Sequence, residues 1–220
     1  AHPVISSPTM GRAAHASLPV AGLAWLVGIM SCREPTQITV SITTDAKCPS
    51  EALTAPRLVD TTIASAVTLD PTSFVAATKT DRCEPGAHPA DVDVPSNDVG
   101  TLVLLPSGDN PAVDVLVVAG VELAAPNADI APLRLTSEDC QLLIETGGVG
   151  AIGGKPCILA RRRLGFVEHT KLELPMDLDT RCIGKKCGED ESCFKGNCVP
   201  IDIDCTGAGC APPVGCNDDC

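Results

Sequence analysis

Residues 182–198, CIGKKCGEDESCFKGNC, place four cysteines within seventeen positions, and this density constrains the fold more than any other feature. Such a cluster is either a metal site or a set of disulfides, and the redox compartment of the protein decides between them. The rest of the chain must therefore first indicate where the protein is located.

The N-terminal segment indicates export. From Met10 the chain reads MGRAAHASLPVAGLAWLVGIMSC, in which Arg12 precedes an apolar run over residues 18–30. A basic residue followed by a run of this length is typical of a secretory signal peptide, and the run is too short to span a bilayer. We predict a signal peptide over residues 10–31. Residues 1–9 have no role in this pattern and are expected to be a non-native or wrongly assigned leader.

The four residues that end in Cys32, IMSC, resemble the lipobox of bacterial lipoproteins. An aliphatic residue stands at position −3 and a small one at −1, while Met30 occupies the place where Ala, Ser or Thr is usual. The resemblance implies that Cys32 is lipidated and that residues 32–36 form a tether. The alternative is an ordinary signal peptide cut near Ser31, with Cys32 as a further disulfide partner.

The number of cysteines favours lipidation of Cys32. The chain has thirteen cysteines, and removing Cys32 leaves twelve, which can close into six bridges. Acyl chains on Cys32 would hold the protein at a membrane without a spanning helix. Arg33 stands where inner-membrane lipoproteins often have Asp, so the resemblance implies the outer membrane, facing the periplasm or the cell surface.

In an oxidising compartment the remaining cysteines are expected to form disulfides rather than to bind zinc. The tail, residues 182–220, repeats one spacing in two units, residues 182–198 and 205–220. The pattern is Cys182-x4-Cys187-x5-Cys193-x4-Cys198 and then Cys205-x4-Cys210-x5-Cys216-x3-Cys220. Neither unit has the C-x2-C spacing of zinc sites, and each has an EGF-like or knottin-like appearance. The shorter last spacing leaves open whether the second unit is complete or part of a longer chain.

The pairing of the tail cannot be deduced, because eight cysteines allow 105 connectivities. We expect first-to-third and second-to-fourth bridges within each unit. Upstream, Cys48 with Cys83 and Cys140 with Cys157 are the natural pairs within the preceding domain.

Residues 37–181 alternate short apolar, β-branched runs with Pro, Gly, Asp and Asn. The runs are QITVSITT, RLVDTTIASAV, SFVAATKT, GTLVLLP, VDVLVVAGVEL, QLLIE, CILARRRLGFV and KLELPMDL. Strands at this spacing predict a mainly β domain, an antiparallel β-sandwich of immunoglobulin-like or related form, followed by the small disulfide-rich tail. The last run alternates strictly, and Pro175 within it lacks an amide donor, so we expect an edge strand or a bulge.

Two motifs are weighed as ligand sites and set aside. The segment GVGAIG, residues 148–153, matches a nucleotide-binding fingerprint, but it leads into another strand rather than a helix, so a hairpin loop is the better interpretation. In the run of Arg161, Arg162 and Arg163, alternation places Arg162 on the face of Leu164 and the other two opposite. Pairing with carboxylates such as Glu168 or Glu173 is favoured over an anionic ligand.

No catalytic, metal or cofactor-binding residue is predicted. His88 and His169 are the only histidines after the signal peptide, and neither lies near a nucleophile or metal motif. Four aspartates lack the calcium-loop pattern and are interpreted as solvated, namely Asp177, Asp179, Asp202 and Asp204. The formal net charge of −12 disfavours nucleic acid as a partner.

The segments FVEHTKLELPMDLDTRC and CIGKKCGEDESCFKGNCV, together with the lipobox-like start, resemble secreted lipoproteins of myxobacterial type. In that group a sandwich-like domain runs directly into a C-x4-C-x5-C-x4-C unit, and longer members continue into further repeats. The resemblance is most specific from Cys157 to Val199. It implies location and architecture and transfers no catalytic residue.

Three functions from different classes remain open. The first is a non-catalytic cell-envelope lipoprotein, a binding or structural module held at the membrane with a protein or envelope polymer as partner. The second is an inhibitor or ligand whose knotted tail offers Lys185, Lys186 and Lys195 as contacts. The third is an accessory subunit of an envelope enzyme, although an aromatic content of 2% is poor for binding sugars.

Overall fold

The computed structural model describes residues 35–71, 74–86, 96–106, 112–125, 131–206 and 209–210. The predicted leader, the signal peptide and Cys32 lie outside these residues, as do His88, Cys216 and Cys220.

Twelve strands and one α-helix are formed by the described residues. The strands are β1 (Gln37–Thr44), β2 (Arg57–Ala66), β3 (Thr78–Thr80), β4 (Asn97–Leu104), β5 (Ala112–Leu123), β6 (Leu133–Arg134), β7 (Cys157–Gly165), β8 (Lys171–Leu178), β9 (Glu191–Phe194), β10 (Asn197–Pro200), β11 (Cys205–Thr206) and β12 (Gly209–Cys210). Helix α1 spans Ser137–Gly147, and two short 3-10 turns span Val149–Ile152 and Thr180–Cys182.

The first sheet has the strand order β4-β1-β8. Its inward residues alternate along the sequence, as Ile38, Val40 and Ile42 do in β1, and each of these three is fully buried. β8 alternates in the same way and lies at the edge of the sheet, as its pattern and Pro175 predict. β4 runs antiparallel to β1, but β8 runs parallel to it. β1 and β8 therefore begin at the same end of the sheet, where Gln37 lies opposite Lys171.

The second sheet has β5 at its centre, between β2 on one side and both β6 and β7 on the other, with β3 beyond β2. β5 is apolar over most of its length because both of its faces are covered. Its residues from Val113 to Val121 are all buried. One face packs on the first sheet, and the other packs under α1.

The main core lies between the two sheets, and a smaller apolar cluster lies between the second sheet and α1. The predicted mainly β sandwich is therefore confirmed, with an added helix layer on one outer face. Aliphatic residues build the interior, as the low aromatic content requires. The main cluster also contains Cys182 and Cys193, so the first cysteine unit takes part in the core of the sandwich.

Two predicted strands are wrong. The run QLLIE lies within α1, which begins at a capping box: Thr136 Oγ1 accepts from the amide of Asp139, and the Asp139 carboxylate accepts from the amide of Thr136. Cys140 and Ile144, one helical turn apart, are its buried apolar positions. Of the described residues in the run SFVAATKT, only Thr78–Thr80 form a strand.

Both expected disulfides of the upstream domain are present. Cys48 is bonded to Cys83 with the Cα atoms 5.3 Å apart, and Cys140 is bonded to Cys157 at 5.9 Å. The second bridge fixes α1 to the first residue of β7, so the helix layer is covalently attached to the sheet that it covers.

Candidate functional site

The first cysteine unit is a compact hairpin held by two disulfides. Cys182 is bonded to Cys193 and Cys187 to Cys198, the first-to-third and second-to-fourth pairing expected from the sequence. Strands β9 and β10 pair with a two-residue turn between them. The turn residues, Lys195 and Gly196, have φ of 46° and 83°, as the tight turns of β-hairpins require.

The second unit does not repeat this pairing. Cys205 is bonded to Cys210 across β11 and β12, so the first-to-third expectation is wrong for Cys205. The two strands place these cysteines directly opposite each other, with their Cα atoms 4.0 Å apart. The short pairing of β11 with β12 places neighbouring cysteines opposite each other, a difference that the shared spacing of the two units does not reveal.

The cysteine-rich segment lies along the outer edge of β7. The Arg161 amide donates to Ser192 Oγ at 2.8 Å, and the Arg163 amide donates to the carbonyl of Ile201 at 2.7 Å. The Ile203 amide in turn donates to the carbonyl of Arg163 at 2.8 Å. Through these bonds, residues 192–203 cover the outer edge of the second sheet and do not project from it as a tail.

A buried ion-pair network fixes the same strand from its outer face. Asp114 on β5 is fully buried, and both of its oxygens accept from Arg161, at 3.0 Å from Nε and 2.5 Å from Nη2. Arg163 Nη2 lies 3.2 Å from the same carboxylate. Arg161 also donates to the carbonyls of Leu69 and Glu189, so each of its three guanidinium nitrogens has a partner within the protein.

Two arginines of the run pair with carboxylates, as predicted, but the partners are Asp114 and Asp202 rather than the suggested Glu168 or Glu173. Arg163 lies directly opposite Asp114 in the β5–β7 register, and both Arg161 and Arg163 contact this buried aspartate, whereas Glu168 and Glu173 are exposed. Asp202 is a second partner of Arg163, at 3.7 Å. The predicted facing of Arg162 is correct. It is buried on the opposite face of the strand, with its guanidinium 5.5 Å from the centre of the Phe194 ring.

The segment GVGAIG follows α1 and forms the 3-10 turn Val149–Ile152, so it is not a hairpin loop. It packs against residues of the first cysteine unit. The Gly154 amide donates to the carbonyl of Gly184 at 2.9 Å, and the Gly184 amide donates to the carbonyl of Cys157 at 2.8 Å. The side chain of Lys186 lies over Gly150, where an added Cβ would come 3.0 Å from Lys186 Cε.

This packing collects three exposed lysines, Lys155, Lys185 and Lys186, which we call the distal lysine surface. Within the described residues none of the three forms an ion pair, unlike most of the arginines of the same region. Acidic residues begin on the far side of Cys187, at Glu189. A cationic surface thus adjoins an acidic turn in a protein of net charge −12.

The opposite end of the sandwich carries exposed apolar side chains beside a cavity. β1 begins there, and the Gln37 amide donates to the carbonyl of Thr170 at 3.2 Å. A cavity of about 260 Å³ lies between the ends of the two sheets, lined by residues that include Ala66, Leu104 and Phe166. Beside it, Leu105 is 64% exposed and Val67 is 42% exposed, and Val103 on the neighbouring outer face is 52% exposed. We call these three residues and the cavity the proximal apolar end.

The residues considered for catalysis or metal binding are dispersed. His169 lies in the exposed connection between β7 and β8, where its amide donates to Thr36 Oγ1 at 2.8 Å. Asp177 accepts from Thr43 Oγ1, and Asp204 is exposed. In the described part of the chain, no group of three or more His, Cys, Asp or Glu side chains is arranged to hold a metal ion.

The carboxyl of Asp179, close to the first cysteine unit, has a pKa below its ordinary value. Burial raises the pKa of its carboxyl, but Arg181 outweighs this effect and holds the pKa below the ordinary value. Arg181 donates from its amide at 2.8 Å and from Nη2 at 2.5 Å. The carboxylate thereby caps the turn Thr180–Cys182, a structural role at the entry to the cysteine unit.

Other buried polar groups are also used internally. Ser137 Oγ lies 2.7 Å from Thr62 Oγ1, and the Ser137 amide donates to Asp60 at 2.6 Å. Lys79 contacts the same aspartate at 3.0 Å, and this contact raises the pKa of the lysine. These groups fasten the start of α1 to β2 and β3. No helix within the described ranges is long and apolar enough to cross a bilayer.

The chain was compared with protein-family models, with curated proteins and with solved structures, and no significant match was found in any of the three. The two ends of the sandwich and the first cysteine unit are therefore interpreted from their own geometry.

Proposed function

We propose that this chain is a non-catalytic cell-envelope lipoprotein, held at the outer membrane through Cys32, that presents the distal lysine surface to an acidic protein or envelope polymer. One observation supports this above all: the end of the sandwich where the tether enters and the end that carries the lysines are opposite. β1 rises about 23 Å from Gln37 to Thr44, at about 3.3 Å per residue. The lysines lie beyond its far end, because Thr180–Cys182 follows directly after β8, whose Leu178 pairs with Thr44.

The backbone that carries the lysine surface is held rigidly, and a rigid surface favours binding to a partner. Lys185 and Lys186 lie between Cys182 and Cys187, and both of these cysteines are disulfide-bonded. The glycine contacts at Gly154 and Gly184 fix the backbone beneath them. Little conformational entropy is lost when such a preorganised surface binds, so exposed cations here are effective contacts.

A non-catalytic role is supported by how the polar groups are used. The buried carboxylates Asp60, Asp114 and Asp179 hold amides, arginines or lysines of the fold itself. The buried hydroxyls of Ser137 and Ser192 are likewise hydrogen-bonded within the fold. In the described part of the chain, each of these groups is employed in holding elements together.

Lys195 is less suited than Lys185 and Lys186 to contact a partner, and it does not lie in the kind of loop with which an inhibitor mimics a substrate. Its backbone lies in the left-handed region, whereas such loops present an extended segment, and its Nζ lies 5.5 Å from the centre of the Phe194 ring. We therefore assign recognition to Lys185 and Lys186 rather than to Lys195.

The membrane attachment is tested by intact mass, with and without reduction, on protein recovered from the native membrane fraction. We expect a chain that begins at acylated Cys32 and whose other cysteines are oxidised. A Cys32→Ser variant should lack the acyl mass and leave the membrane fraction. A wild-type chain without lipid would contradict the proposal.

The recognition surface is tested with alginate, a carboxylate-bearing polysaccharide, as the probe. We expect Lys185→Glu with Lys186→Glu to weaken binding about tenfold, because two contacts change sign. The matched control is Arg134→Glu with Lys171→Glu, which makes the same charge change at exposed positions outside this surface. An equal loss in both double variants would show that net charge alone decides. Absence of wild-type binding would contradict a carboxylate polymer as partner.

A further inference from the structure

The proximal apolar end is placed where a lipid-anchored chain must meet its membrane. Thr36 and Gln37 enter the sandwich beside Thr170, at the end that carries Leu105 and the cavity. Only four residues lie between Cys32 and Gln37, and the five Cα–Cα steps that join them reach about 17 Å when fully extended. An acylated Cys32 therefore keeps this end of the sandwich close to the bilayer surface.

Of the six large apolar side chains that are exposed among the described residues, three belong to this end, namely Val67, Val103 and Leu105. On the outer face of the first sheet, β4 exposes Val103 near this end, while the neighbouring β8 begins at the same end with the exposed Lys171. Leu105 follows directly after β4, and Val67 follows directly after β2. Strands from both sheets thus contribute to one apolar end.

The cavity between the sheets adds apolar surface at the same place. Its lining includes Val67, Leu105 and Phe166, together with residues at the ends of β2 and β4 and at the start of β5. Residues 107–111, which connect these two strands, lie outside the described residues. Polar groups of the neighbouring turn, Glu168 and His169, are exposed at the rim and would remain in the headgroup region.

We propose that the proximal apolar end rests in the membrane surface, with Leu105 and Val67 buried at the boundary between headgroups and acyl chains. This proposal rests on the proposed attachment through Cys32. Apolar side chains of peripheral proteins enter this boundary to a depth of about 5–10 Å. The contact orients the sandwich upright, so that the distal lysine surface faces away from the bilayer.

Tryptophan provides the test, because the single Trp of the chain, Trp25, lies in the predicted signal peptide, and there is no Tyr. Leu105→Trp therefore places the only indole of the mature chain at the proximal apolar end. Leu142→Trp is the matched control, since Leu142 on α1 is 59% exposed. Both mature lipoproteins are reconstituted into dioleoylphosphatidylcholine vesicles and into the same vesicles with brominated acyl chains.

We expect brominated chains to quench Leu105→Trp about twofold and to leave Leu142→Trp nearly unchanged, because only the first indole enters the acyl boundary. Val67→Trp should behave like Leu105→Trp and serves if the latter fails to fold. Equal quenching at Leu105 and Leu142, or none at Leu105 and Val67, would overturn the proposal. Intact mass of the same samples separates this outcome from a failure of lipid attachment, which would instead overturn the proposed function.

Discussion

Arg161 donates from Nε and Nη2 to the carboxylate of Asp114 on the neighbouring strand, and Asp114 is fully buried. The guanidinium also reaches the carbonyls of Leu69 and Glu189, so one side chain joins β5, β7, the loop after β2 and the cysteine unit. A buried carboxylate that neutralises two arginines is costly to remove, because it leaves uncompensated charges in the interior.

Replacement of Asp114 should therefore destabilise the protein severely. We expect Asp114→Asn to lower the free energy of unfolding by about 3–5 kcal/mol, since Arg161 and Arg163 lose their buried counter-charge. Urea denaturation followed by circular dichroism measures this. The control is Asp202→Asn, which removes an exposed partner of Arg163 and should cost less than about 1 kcal/mol. Equal effects of the two variants would contradict the assigned role of burial.

The two disulfides of the first unit offer a matched comparison, because both join residues eleven apart. Loss of either bridge should cost about 3 kcal/mol of unfolding free energy on the chain-entropy model. Cys182→Ala with Cys193→Ala should cost about 1–2 kcal/mol more than Cys187→Ala with Cys198→Ala, because only the first pair leaves a cavity in the buried core. Guanidinium chloride denaturation compares them. The same midpoint for both double variants would argue against participation of Cys182 and Cys193 in the core.

The pKa of Asp179 should depend on Arg181. It is held below its ordinary value, so the associated stability is present above the unfolded pKa, about 4, and is lost as the pH falls through the folded pKa. In Arg181→Gln, burial remains while the guanidinium is lost, so the pKa should rise. Titration of the Asp179 carboxyl by NMR measures this. An unchanged pKa would indicate that the Arg181 side chain does not hold the carboxylate in solution.

Gly120 should tolerate no side chain. A Cβ there would lie 2.4 Å from the carbonyl oxygen of Leu135 and 2.5 Å from the amide nitrogen of Ser137, where the chain enters α1. We expect Gly120→Ala to cost about 1–3 kcal/mol of unfolding free energy, because backbone must move. Gly150→Ala is the control. It meets only the flexible end of Lys186, and its effect should be small. Thermal unfolding of the two variants tests the difference.

The sequence predicts those parts of the fold whose pattern is local and strictly periodic. β8 and the facing of Arg162 follow from alternation alone, and Pro175 correctly marks an edge. The cysteine pairs of the upstream domain and of the first unit were also foreseen. These features depend on alternation within one strand or on where cysteines stand relative to the runs that they flank.

Features set by distant contacts were missed. QLLIE is too short to distinguish a helix from a strand by its apolar residues, although Thr136 three residues before Asp139 is a capping signal. The Asp114 partner of the arginines depends on the β5–β7 register, which no local pattern reveals. The lysine surface arises only because the Gly154 loop packs against Gly184, which are thirty residues apart in the chain.

The hydrogen bonds from residues 192–203 to β7 also bear on how the newly made protein avoids self-association. An uncovered strand edge is a template for pairing with a second chain, and β7 would be such an edge without its C-terminal cover. The covering segment is synthesised after every strand of the sandwich, so the growing polypeptide carries an open edge until residues 192–203 have emerged. A molecule truncated before Ser192 is thus expected to form edge-to-edge polymers where the full chain stays monodisperse. Light scattering of the two forms would reveal the difference.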